Sequence, residues 1–295
     1  MTESKHHHLE SAPSDKDKSL AEKHGFKEPG ERCKKGEIER KTWPEDVNAF
    51  LIESLPGHIR KEIGSLLEWG GIDELVRINM DAFEGYTEEQ IESDRERIKR
   101  EKGGEDEAYN KTKEKFKLLT ASFFEKYSEF IPIGGSEYDA VQNNSDVLLF
   151  DPEKGKCCGA LSVLVSSREK ETPFEDSTKI GPTKEKIDRA NLKGGIKLKY
   201  GLEIGKKEVK TSSQERICIV PLEFQEKQLK SLLYGFDPSN EKSETEEHVF
   251  RQMLKRIKEY IDSYEKKPVE QGAGWRVNPN FDRLKIEEMM EEIEK

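Results

Sequence analysis

The chain has 295 residues, of which 38% are charged and 33% hydrophobic, with a formal net charge of -10. That length allows one or two domains around a substantial core, while an apolar share below the roughly 45–50% usual in globular chains predicts long solvated surfaces or tails. The acidic balance argues against a protein that coats nucleic acid through a general excess of Lys and Arg, but not against a local basic patch.

No apolar run approaches the roughly 18–20 residues of a membrane span, and the charged N-terminal stretch lacks a signal-type hydrophobic segment, so the expectation is a cytoplasmic protein with no membrane partner. The four cysteines, Cys33, Cys157, Cys158 and Cys218, form no CxxC pair, and buried free thiols are expected. Adjacent Cys157 and Cys158 would point to opposite faces of a strand, which disfavours a disulfide between them.

Residues 1–41 are rich in Lys, Glu, Ser and His without apolar periodicity, which predicts a disordered tail. Its His6-His7-His8 run, followed by Leu9-Glu10, reads as a weak metal grip or a tag remnant. A helical segment is predicted over 42–104. Thr42 and Pro44 start a helix bearing Val47, Phe50, Leu51 and Leu55; Ile59, Ile63, Leu66 and Leu67 mark a second; Leu75, Val76, Ile78 and Phe83 mark a third. Thr87 and Gln90 make a capping box for a charge-laced helix with only Ile91 and Ile98 as apolar anchors.

A main domain is predicted over 112–267. Phe116, Leu119, Phe123, Phe124 and Tyr127 form an apolar helical stripe that ends before Pro132 and Gly134-Gly135. Asp146–Asp151 and Cys157–Val165 read as a hairpin of buried strands, Thr183 to Gly194-Gly195 as a helix, Ile196–Ile204 and Arg216–Leu222 as further strands, and Gln225–Leu233 as a helix. Glu246–Tyr264 is a long amphipathic helix, and residues 268–295 form a flexible tail with a short acidic helix. The predicted class is α+β or α/β, with a small mixed sheet flanked by helices.

The stretches SEYDAVQNNSDVLLFD and KEKIDRANLKGGIKLKYGL, with the helix before them and the hairpin between, resemble the core of the PD-(D/E)XK nuclease-like superfamily over roughly residues 112–236. The same blocks are similar to a group of bacterial proteins from candidate-phylum genomes. The resemblance implies a restriction-endonuclease-like fold with an added N-terminal helical segment. It also implies a Mg²⁺ or Mn²⁺ ion on an Asp that opens one strand and an acid on the next, with a Lys two residues further on the same face. Hard cations prefer carboxylate oxygens, and a placed metal stabilises the phosphoryl transition state and acidifies the attacking water.

Asp146 fits the first acid, with Glu137 as a second catalytic candidate and Asp139 as a second metal ligand. The next strand departs from the pattern, because Ser162 and Leu164 stand where the acid and the lysine belong. The bland readings are that Asp139 is a turn former and Asp146 bounds a strand. The basic run from Lys184 to Tyr200 offers Lys184, Lys186, Arg189, Lys197 and Lys199 to nucleic-acid phosphates. Two functions follow as expectations: a nuclease-like domain with an incomplete metal site that binds nucleic acid, or a scaffold whose amphipathic helices recruit a protein partner.

Overall fold

The computed structural model describes residues 67–68, 75–83, 85–103, 107–166, 180–204, 209–226, 232, 236, 243–265 and 283–294. The tail expected over 1–41, the helices expected over 42–66 and most of the one expected over 225–233 lie outside the described residues.

Where helical spacing was expected through Leu67 and Leu75–Phe83, the chain makes two short strands, β1 (Leu67–Glu68) and β2 (Arg77–Ile78), then a 3-10 turn at Met80–Ala82. Tertiary pairing overrides the local pattern here. The Gly134 N–H donates to the Val76 carbonyl at 2.8 Å, and a Cβ at Gly134 would lie 2.9 Å from that oxygen. Only glycine lets β2 approach so closely.

Helix α1 (Glu88–Lys102) starts at the expected capping box: the Gln90 N–H donates to Thr87 Oγ1 and the Thr87 N–H to Gln90 Oε1. It docks through a narrow stripe of Ile91, Asp94 and Ile98, all buried. Helix α2 (Glu107–Tyr127) buries the expected stripe and more. Next come β3 (Ile131–Gly134), the short helix α3 (Glu137–Asn143), β4 (Val147–Asp151) and β5 (Lys156–Ser166). The expected hairpin is thus the last two strands of a meander. A bulge sets Leu149 opposite Gly159 but Phe150 opposite Cys157, and strand alternation sends Cys157 and Cys158 into different cores, as expected. Both are free, as is Cys218. Burial pushes the Cys157 and Cys218 thiols up to about 12, which leaves them unreactive.

Helix α4 (Ile180–Leu192) leads into β6 (Ile196–Ile204), β7 (Val209–Ile217) and β8 (Ile219–Gln225). Helices α5 (Glu244–Glu265) and α6 (Arg283–Glu294) follow. The sheet is mixed and curled, ordered β1 to β7, with β8 joining β5 in parallel. The class is therefore mixed α+β, a curled sheet flanked by helices.

Alternation gives the sheet two apolar faces. Val147, Leu149, Leu161, Val163 and Val165 pack with α2, α5 and β8, where Phe116 stacks on Phe224 with centroids 4.7 Å apart. Leu148, Phe150 and Ala160 pack on the other side with α1, α4 and the β6–β7 hairpin. Asn191 at the end of α4 imitates a strand: its amide donates to the Ile219 carbonyl at 2.7 Å and accepts the Ile219 N–H at 3.1 Å. Helix α4 is thereby pinned to β8, and its opposite side is left to face outward. No helix among the described residues is long and apolar enough to cross a membrane.

Candidate functional site

Asp146 sits immediately before β4, with 2% of its surface exposed. Its N–H donates to the Leu161 carbonyl at 3.0 Å, and its Oδ2 accepts the Val163 N–H at 2.8 Å. The carboxylate thus continues the β4–β5 ladder one step after the backbone of β4 has left it. Its Oδ1 lies 3.0 Å from the ammonium nitrogens of both Lys113 and Lys117, one turn apart on α2. Lys117 is also 2.6 Å from Glu114. Burial would raise the Asp146 carboxyl, but the two ammonium groups reverse this and hold it below the usual carboxylate range. Lys117 is in turn held strongly protonated against its own burial.

Asp139 is fully buried at the start of α3. Its two oxygens take four donors: the Lys199 N–H and Asn143 amide on Oδ1, and the Tyr200 N–H and Ser136 hydroxyl on Oδ2, all at 2.8–2.9 Å. Burial pushes this carboxyl up, opposed by those hydrogen bonds. Asp139 is a clamp between α3 and β6, which corrects the expectation of a plain turn former. Glu137, half-exposed, pairs with Lys102 at 2.7 Å.

The three acids are therefore each engaged by a different donor set. A divalent cation needs carboxylate oxygens with lone pairs to give. The Asp146 carboxylate is already faced by the Lys113 and Lys117 ammonium groups and the Val163 N–H, and Asp139 has no acceptor capacity to spare. The residues present do not fit a Mg²⁺ or Mn²⁺ site. Among the described residues no group of three or more His, Cys, Asp or Glu could hold a metal ion. Ser162 and Leu164 on β5 are buried, and the Ser162 hydroxyl has no hydrogen-bond partner among the described residues. The Lys113 and Lys117 contacts escaped the sequence reading; their spacing of four on the helix preceding the meander was the only signal.

The expected basic run divides into three. Lys184 is tied to Glu223 on β8 at 2.8 Å. Lys199 is tied to Asp94 on α1, and its ammonium lies 4.9–5.6 Å from the ring centres of Tyr86, Tyr138 and Tyr200. Tyr200 donates to the same Asp94. Both lysines serve the fold, and neither joins a common basic surface. Lys197 is exposed on β6.

The third group is different. Lys186, Arg189 and Lys193 line one open groove of about 600 Å³ along the outer side of α4, together with Glu185. Pro182, Ala190 and Gly195 complete its walls. All three cations are exposed: Lys186 and Arg189 stand three apart on one face of α4, and Lys193 lies in the turn just beyond its end, its N–H donating to the Arg189 and Ala190 carbonyls. Arg189 pairs with Glu185 at 3.1 Å, both well exposed. Lys193, part of the basic run but not among the expected contacts, belongs to this group. Such an array holds positive charge where an anion can reach it.

The chain matches no family model, no curated protein and no solved structure.

Proposed function

We propose that this is a nucleic-acid-binding domain on a nuclease-like scaffold, and that it binds without cleaving. The observation that carries the reading is the row of Lys186, Arg189 and Lys193 along the α4 groove. Phosphate contacts from Lys and Arg supply most of the affinity of sequence-independent binding. With a chain charge of -10, attraction must come from a local cluster, acting within a Debye length of about 8 Å at physiological salt.

The connectivity supports the nuclease-like part. Helix α2, the β3–β4–β5 meander, helix α4 and parallel β8 follow in order, with Asp146 opening β4 and Ser162 and Leu164 on β5. Two ammonium groups 3.0 Å from Asp146 Oδ1, where the resemblance would put a metal, support binding without cleavage.

The scaffold alternative would gain from an uncovered apolar face on the 246–264 helix. Phe250, Met253, Leu254, Ile257 and Ile261 are all buried in the α2-side core, so that face is already used.

The deciding experiment is fluorescence anisotropy of the 295-residue chain with labelled DNA at about 50 mM salt, beside a K186E/R189E/K193E variant. Binding that the variant loses, with no cleavage in Mn²⁺, is the expected result. Equal binding by the variant refutes the groove, and Mn²⁺-dependent cleavage refutes the silent site.

A further inference from the structure

We infer that helix α1 is a separately opening element latched by one caged cation: the Lys199 ammonium, held by Asp94 and three tyrosines, keeps α1 docked, and without that charge α1 leaves the sheet while the rest of the fold stays closed. The ammonium nitrogen lies 4.9 Å from the ring centre of Tyr86, 5.0 Å from that of Tyr138 and 5.6 Å from that of Tyr200. A cation within about 6 Å of an aromatic face is attracted by the negative face of the ring. Here one cation joins a ring from the lead-in to α1, one from α3 and one from β6. Asp94, on α1, completes the cage: its Oδ2 accepts from both the Lys199 ammonium and the Tyr200 hydroxyl. The Tyr86 hydroxyl, one residue before the Thr87 cap of α1, donates to the Lys199 carbonyl at 3.1 Å.

Among the described residues the other holds on α1 are slighter. Ile91 and Ile98 are its buried apolar side chains, where α2 and α5 bury long stripes. Its outer tethers, Arg95 to Asp81 and Lys102 to Glu137, have side chains 37–55% exposed, and such pairs contribute little and are screened by salt. Asp94 and Lys199 are instead 10% and 28% exposed. Taking the charge from Lys199 strands the Asp94 carboxylate inside the protein. Local opening of α1 returns it to water without unfolding the core.

The surface beneath α1 has its own fastening. Asp139 on α3 accepts the backbone N–H groups of the same two residues, Lys199 and Tyr200, and β6 pairs with β7 from Ile196 to Ile204. One acid therefore grips the backbone of this segment and the other its side chains. Release of Asp94 leaves α3 and β6 joined and uncovers Tyr138 and the Lys199 ammonium.

The test is amide hydrogen exchange, read by mass spectrometry, on the 295-residue chain, on Lys199→Met, which fills similar space without charge, and on the double variant D94N/K199M. In Lys199→Met, exchange across Glu88–Lys102 should quicken about 30-fold, less than for a fully buried pair because Lys199 keeps 28% of its side chain in solvent, while β4 and β5 exchange as in the wild type. The double variant, with no charge left to strand, should regain most of the protection. Wild-type α1 should stay protected in about 1 M salt, which screens the outer pairs. Unchanged exchange in Lys199→Met overturns the latch, and equal acceleration in β4 and β5 overturns α1 as a separate element. No recovery in the double variant overturns the stranded charge as the cause of opening. Loss of α1 protection in salt, a result that needs the wild type alone, assigns the hold to the outer pairs and overturns the cage.

Discussion

Replacing Asp146 separates a structural carboxylate from a metal ligand. In Asp146→Ala the Val163 N–H loses its acceptor, and Lys113 and Lys117 lose the oxygen they share at 3.0 Å. Breaking a buried ion pair costs about 3–5 kcal/mol, and an orphaned buried N–H costs about 1–3 kcal/mol. Two features reduce the sum: Lys117 keeps Glu114 at 2.6 Å, and Lys113, with 20% of its side chain exposed, can turn toward water. We therefore expect a loss of about 4 kcal/mol for Asp146→Ala and about 2 kcal/mol for Asp146→Asn, whose amide oxygen still accepts from Val163. Urea denaturation at pH 7 measures both, and duplex affinity of Asp146→Asn should match the wild type.

The pH dependence supplies the sign. The folded carboxyl lies below its ordinary value, because the two lysines outweigh the effect of burial. Its contribution is complete above the unfolded value of about 3.9 and is lost as pH falls through the folded one. Wild type and Asp146→Asn should differ fully at pH 7 and converge below about pH 4. A stability gap within about 0.5 kcal/mol at pH 7, or Mn²⁺-dependent cleavage by the wild type that Asp146→Asn lacks, would refute the reasoning.

Two further substitutions probe the other acids. Asp139→Asn places an amide nitrogen against donors, since Oδ2 accepts both the Tyr200 N–H and the Ser136 hydroxyl; a loss of about 2–3 kcal/mol in urea titration is expected, with faster amide exchange at Lys199 and Tyr200. Glu185→Gln removes the one acid among the described residues that line the groove and releases Arg189; duplex affinity should rise about threefold at 50 mM salt and the gain should vanish near 1 M, while stability stays within about 0.5 kcal/mol because the pair is exposed.

Long apolar segments of this chain declare their structure, and short or polar ones do not. The stripe from Phe116 to Tyr127, the β4–β5 hairpin, the strand Ile196–Ile204 and the 246–264 helix all carry periodicity that burial then enforces. Strand β7 escaped notice because VKTSSQERI is polar; it is held by pairing with β6, which no local pattern encodes. Helix α3 has seven residues and exists through its Ser136 cap and the bonds of Asp139 to β6. Strands β1 and β2 are two residues each, and their apolar neighbours fit a helix equally well. At the site, Asp146 was conspicuous as an acid opening an apolar run, but its partners stand about 30 residues earlier on another element. The basic run was visible as charge, yet its division into Lys184 on Glu223, Lys199 on Asp94 and the open α4 row depends on which acids the fold brings near.

That division also accounts for where binding is proposed. A carboxylate held in the interior needs a compensating charge. Once the β4–β5 ladder uses Asp146 to accept from Val163, either a metal or ammonium groups must neutralise it. Lys113 and Lys117 do so, and their charge is spent there: Lys117 faces Asp146 and Glu114 together. The acid-bearing end of the meander is thus locally close to neutral and offers a phosphate little. Among the described residues lining the open groove, Glu185 is the one acid beside Lys186, Arg189 and Lys193, and it pairs with Arg189, so the row keeps a net positive charge for an incoming anion. The cations that stabilise the fold and those available to a ligand are different residues, which is why the groove variants can lose binding while the Asp146 variants lose stability.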